Sequence, residues 1–62
     1  MKLEVYVKGV NEPYEFIGDR IDVLDFNLAG DDFKQIRYFD FEKGSESQFI
    51  KSELITKIIE KN

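Results

Sequence analysis

Carboxylates are the most abundant ionisable groups in this chain, 13 Asp and Glu against 9 Lys and Arg. Between Glu12 and Asp32 lie seven acids (Glu12, Glu15, Asp19, Asp22, Asp25, Asp31 and Asp32) against one base, Arg20. Oxygen ligands of this kind suit a hard cation, and Asp31-Asp32 with Asp19, Asp22 or Asp25 are the residues that could hold calcium or magnesium. The spacing is not that of an EF-hand loop, and no metal site is expected. The chain has no histidine and no cysteine. That excludes Ser-His-Asp and Cys-His nucleophilic machinery, the common zinc sites and thiol redox chemistry. Gly9, Gly18, Gly30 and Gly44 stand alone, so no glycine-rich cradle for phosphate precedes a helix. A carboxylate acid/base pair needs a substrate cleft, which so short a chain hardly provides. The expectation is a non-catalytic protein without a cofactor.

What remains is binding. Tyr6, Tyr14 and Tyr38 are candidate contacts for a protein partner, because tyrosine offers a large rigid surface with a polar tip at low entropic cost. Together with Asp22, Asp25, Asp31 and Asp32 they form the expected partner-binding set of a protein-interaction module. In a second reading the acidic run from Glu12 to Asp32 mimics nucleic-acid charge and occupies a basic groove, with binding that weakens steeply with salt. In a third, aromatic rings and the bases Lys34, Arg37, Lys51 and Lys57 hold a short single strand. The net charge of -4 disfavours nucleic acid as a partner, since phosphate binding relies on Lys and Arg.

The elements that position these residues read mainly as strands. Lys2 to Lys8 alternates, with Leu3, Val5 and Val7 on one side and Lys2, Glu4, Tyr6 and Lys8 on the other. Gly9 to Pro13 carries turn residues, and Tyr14 to Ile17 returns as a second strand. After the turn at Gly18-Asp19 the segment Ile21 to Leu28 has mixed periodicity: Leu24, Phe26 and Leu28 alternate, Ile21, Leu24 and Leu28 also match helical spacing, and strand is preferred. Ala29 to Asp32 reads as a loop. Phe33 to Glu42 is the strongest strand, with Ile36 and Tyr38 on one side and Phe33, Arg37, Phe39 and Phe41 on the other. Its aromatics are expected in the core and in cross-strand packing. Lys43 to Glu46 turns the chain back.

From Gln48 to Lys61 two readings compete. Ile50, Leu54 and Ile58 with Ile55 and Ile59 fit an amphipathic helix, with Ser45 and Gln48 as a capping box. Four isoleucines and a threonine, and the interruption at Lys51-Ser52-Glu53, favour two short strands joined by one helical turn. The segment from Phe49 to Ile59 resembles the strand, one-turn 3₁₀ helix and closing strand that end small Sm-like and Src-homology-like barrels. The resemblance covers about a fifth of the chain and implies architecture rather than activity. The basic and polar positions of Sm-like RNA binders are absent.

With 62 residues the chain supports one domain, spanning 1–62, and with 42% hydrophobic and 15% aromatic residues it should fold. The expected fold is mainly β: a small antiparallel sheet or open barrel of five or six strands, with a one-turn 3₁₀ helix near the C-terminus. Edge strands at Lys2 to Lys8 or in the tail would pair with another copy, predicting a homo-oligomer. The lack of cysteine fits a reducing cytosol, and no apolar run is long enough to span a membrane. Alanine occurs only at Ala29 while Ile, Lys, Asp and Glu abound, a bias associated with low-GC bacteria and their phages.

Overall fold

A computed structural model describes residues 1–61. The described residues form six strands and one 3₁₀ turn: β1 (Lys2–Val7), β2 (Tyr14–Ile17), β3 (Arg20–Leu28), β4 (Asp31–Asp40), β5 (Gly44–Lys51), the turn at Ser52–Leu54, and β6 (Ile55–Lys61). The fold is mainly β, as the alternation of the sequence predicts. The strands form two antiparallel sheets of three, in the orders β2-β1-β6 and β3-β4-β5, and these do not close into a barrel.

Division into two sheets, where a single sheet or an open barrel was expected, has its cause at Gly18. The chain leaves the first sheet at Ile17 and enters the second at Arg20. Between them a Cβ on Gly18 would lie 2.7 Å from the Phe39 carbonyl oxygen, and the Asp19 N–H donates to that same oxygen at 2.7 Å. Only glycine allows so close an approach of two backbones. Asp19 then accepts the Phe41 N–H at 2.9 Å, fixing the corner from its side chain.

The sheets meet over a small core. Leu3, Val5 and Phe16 from the first sheet pack on Ile21 and Ile36 from the second, with Val7, Tyr38, Ile50, Ile55 and Ile58 against its margin. In β1 the inward Leu3, Val5 and Val7 match their expected side. The same strand corrects the expected route to self-association: Lys2 to Val7 is paired with β2 on one flank and β6 on the other. It is therefore no edge, whereas β6 is.

The tail forms strands rather than a helix, and Ser45 and Gln48 lie within β5 instead of capping one. Its helix-like spacing has a definite origin. The β1–β6 register runs Tyr6↔Lys57 and then Val7↔Ile55, skipping Thr56, whose hydroxyl donates to the Tyr6 carbonyl at 3.2 Å. This bulge lets Ile55 and Ile58, three residues apart, both reach the core; a regular strand would send them to opposite faces.

Both β-hairpin turns of the second sheet are shorter than the sequence suggests. Strand pairing closes at Leu28↔Asp31, leaving Ala29 and Gly30 with φ of 53° and 86°. Positive φ at both central residues is the pattern of a type I′ turn, whose twist suits a hairpin. Asp31 and Asp32 thus belong to β4 and not to a loop. At the other end Asp40 Oδ1 accepts the N–H groups of Glu42 and Lys43 at 2.8 and 3.2 Å, and Gly44 with φ of 88° starts β5. Phe41 and Glu42 consequently fall outside β4, and Ser45 and Glu46 fall inside β5.

Candidate functional site

The second sheet has an uninterrupted register, so its side chains can be assigned to faces row by row. Toward the first sheet point Ile21 and Val23 of β3, opposite Tyr38 and Ile36 of β4. Continuing along the same face come Asp25, Asn27, Asp32 and Lys34. Here Lys34 Nζ pairs with Asp25 Oδ1, and Asn27 Nδ2 donates to Asp32 Oδ1 at 2.8 Å. The opposite, outer face begins with Arg20, Asp22 and Arg37 and turns apolar with Leu24, Phe26, Leu28, Phe33 and Phe49.

Hydrophobicity therefore changes sides halfway along the sheet. The change occurs at Val23-Leu24, two consecutive apolar residues that shift the alternation by one position. With no bulge to return the phase, one half of the sheet buries its inner face and the other half offers its outer face. Leu24, Phe26, Leu28 and Phe49 remain 42%, 40%, 59% and 51% exposed. Phe26 and Phe49 lean over β4 until their rings are 5.4 Å apart with planes at 57°. A contiguous patch of this kind, with charges at its margin, is the surface character of an interaction site.

That arrangement corrects the expectation that the aromatic residues serve the core, whereas their expected cross-strand packing is present, with Phe26 opposite Phe33 and its ring against Phe49. Among the phenylalanines only Phe16 is buried, and Phe41 is almost wholly exposed. Phe39 lies on the outer face between two guanidinium groups, with Arg20 and Arg37 Cζ at 5.9 and 5.5 Å from its ring centre. The patch residues Leu24, Phe26, Leu28 and Phe49 were not among the expected contacts. The signal for them was the mixed period of Ile21 to Leu28, which is two strand phases in succession rather than a helix competing with a strand.

The expected contacts are dispersed. Tyr14 and Tyr38 line a cleft of about 640 Å³ where the two sheets diverge, together with Val7, Phe16, Ile50 and Leu54. Tyr38 packs on Phe16 with ring centres 5.5 Å apart and donates its hydroxyl proton to Glu46 Oε2 at 2.9 Å. That hydrogen bond, then desolvation, then the Glu46 charge raise the Tyr38 phenol above its ordinary value near 10, with Gln48 partly opposing them. Tyr6 lies elsewhere, on the outer side of the first sheet, with Lys57 Nζ 4.6 Å from its ring centre.

The acidic run is divided by the strand alternation. Asp22 and Asp31 occupy the outer face of the second sheet, Asp25 and Asp32 the inner one. Several are engaged within the chain: Glu15 with Lys2 at 3.2 Å, Asp22 with Arg20 at 3.3 Å, Asp25 with Lys34, and Asp32 with Asn27. Among the described residues no three acids converge to hold a metal ion. Of the bases, Arg37 and Lys51 share the outer face with the phenylalanines, while Lys34 faces the other way and Lys57 belongs to the first sheet.

One carboxylate escaped the sequence reading. Glu4, at 7% exposure, is buried on the outer side of the first sheet between Lys2 Nζ at 4.0 Å and Lys61 Nζ at 3.1 Å. The Lys61 amine is close to Oε1 but not aligned for a hydrogen bond with it. Its flanking lysines neutralise it, and the site has the form of a structural ion pair.

Comparison with protein-family models, curated proteins and solved structures finds no match to this chain. Among the described residues no helix is long and apolar enough to cross a membrane.

Proposed function

We propose that the protein is a non-catalytic protein-interaction module whose contact surface is the outer face of β3, β4 and β5, centred on Leu24, Phe26 and Phe49. The phase change at Val23-Leu24 carries this reading. Leaving four large apolar side chains on one side of a sheet has no benefit for the isolated chain, but it supplies the desolvated centre that protein interfaces use. Asp22, Asp31, Arg37 and Lys51 form a charged rim around it, the place where charge sets orientation and partner choice. Tyr14 and Tyr38 contribute a second, narrower surface in the cleft. A reducing cytoplasm and a bacterial or phage source complete the proposal.

Nucleic-acid mimicry draws less support, because the acids are split between two faces and three of the seven, Glu15, Asp22 and Asp25, are ion-paired within the chain. Single-strand binding has Arg37 and Lys51 beside exposed rings in its favour, and the same experiment addresses it. A photo-crosslinking phenylalanine analogue is placed at Phe49 and, as control, at exposed Phe41, and irradiated in a low-GC bacterial lysate with and without nuclease. Discrete, nuclease-insensitive protein adducts at position 49 that are absent at position 41 are expected. No adduct at 49, or one lost with nuclease, overturns the protein-interaction reading.

A further inference from the structure

Three features of the outer face point to its occupant. The first is need: among the described residues the core comprises five buried hydrophobic residues. A domain of this size buries about 60% of its chain's surface and is marginal unless something else contributes. A domain with so small a core gains stability when an exposed apolar face is covered, and a second copy is a partner present wherever the chain is made.

The second feature is symmetry of charge. On β4 the outward residues run Asp31, Phe33, Gln35, Arg37, so Asp31 and Arg37 stand three positions either side of Lys34. A two-fold axis crossing the strands at Lys34 places Arg37 of one copy against Asp31 of the other, twice. The register carries the same operation to the neighbours: Leu24, paired with Gln35, meets the partner's Phe26, and Phe49 meets the partner's Lys51. Neither Asp31 nor Arg37 has an ion-pair partner among the described residues. The same operation sets Leu28 against the partner's Asp22; the chain's net charge of -4 opposes association of copies in general, but the outward row of β4 holds both signs and is self-complementary.

The third is size. Three strands about 4.8 Å apart and up to about ten residues long present a face on the order of 500 Å². Two copies stacked on it bury about 1,000 Å², the lower limit for a specific interface.

We infer that the chain forms a two-fold dimer by stacking the outer faces of β3, β4 and β5, with reciprocal Arg37–Asp31 ion pairs across the stack. This rests on the interaction reading above and names its partner as a second copy. The geometry is isologous and closed, so association stops at two, and the sheets pack about 10 Å apart with strands within about 30° of alignment.

Sedimentation equilibrium of the full chain from about 5 to 500 μM tests it, a range suited to an interface of this size. A monomer–dimer equilibrium is expected. Arg37→Asp and Asp31→Arg should each raise the dissociation constant about tenfold or more, and the doubly exchanged variant should recover to within about threefold of the wild type. Both positions are exposed, and circular dichroism checks that each variant keeps its sheets. A single-chain mass throughout overturns the proposal, as does a dimer indifferent to both charge reversals, which would place the contact elsewhere. Either result leaves the interaction reading to the crosslink at Phe49: adducts with other proteins alone would retain it while removing the self-partner.

Discussion

The Tyr38 ring packs on Phe16 at the margin of the core, and its exposed hydroxyl is held by Glu46 across β4 and β5. Because its phenol is raised above 10 in the folded chain, the unfolded chain loses that proton first as pH rises. Below about pH 10 both states keep it and the contribution to stability is complete; above, the unfolded state binds fewer protons and stability falls. The stability difference between wild type and Tyr38→Phe, taken from urea midpoints, should be constant from pH 8 to about 9.5 and shrink toward pH 11. A difference that stays level to pH 11 would contradict the Glu46 hydrogen bond. Little at this scale is legible in the sequence: the type of Tyr38 marks it as a contact residue, but its acceptor depends on the Tyr38↔Glu46 register. Glu46 read as a turn residue, so its position opposite Tyr38 was hidden.

At the scale of elements, hairpins and bulges decide which faces the side chains reach. Ala29 occupies a left-handed conformation that costs an L-residue with a Cβ roughly 1–2 kcal/mol, and asparagine tolerates it better. With Gly30 following, Ala29→Asn creates the pair most favoured in type I′ turns. It should stabilise the chain by about 0.5–1 kcal/mol and raise Tm by roughly 4 °C; an unchanged or lower Tm would contradict the turn assignment. The strand content was legible because Leu3, Val5 and Val7 alternate without interruption, and the 3₁₀ turn because Lys51-Ser52-Glu53 interrupts the apolar spacing. A shift of phase by one residue, at Val23-Leu24 without a bulge and at Thr56 with one, makes a strand imitate helical spacing. Asp31 and Asp32 read as loop in the sequence because a two-residue turn leaves so little sequence for its signature.

For the whole molecule, the consequence is a division of labour between two halves of one sheet. Near Ile21 and Ile36 the second sheet builds the core with the first; beyond Val23 it extends past that cover and presents Leu24, Phe26, Leu28 and Phe49 outward. The Cα framework is accordingly flat, 35 × 27 × 14 Å. A face that serves binding and not folding should tolerate polar substitution in the dilute monomer, whereas a buried position such as Ile36, with no exposure, should not.

Leu28→Thr separates these cases most directly, because Leu28 is the most exposed apolar residue of the face and threonine keeps strand preference. The variant is measured for unfolding free energy at low concentration and for crosslinking through the analogue at position 49. Stability within about 0.5 kcal/mol of the wild type and a crosslink yield reduced several-fold are expected. Unchanged crosslinking, or loss of several kcal/mol in the dilute monomer, would mean that the outer face is not a contact surface.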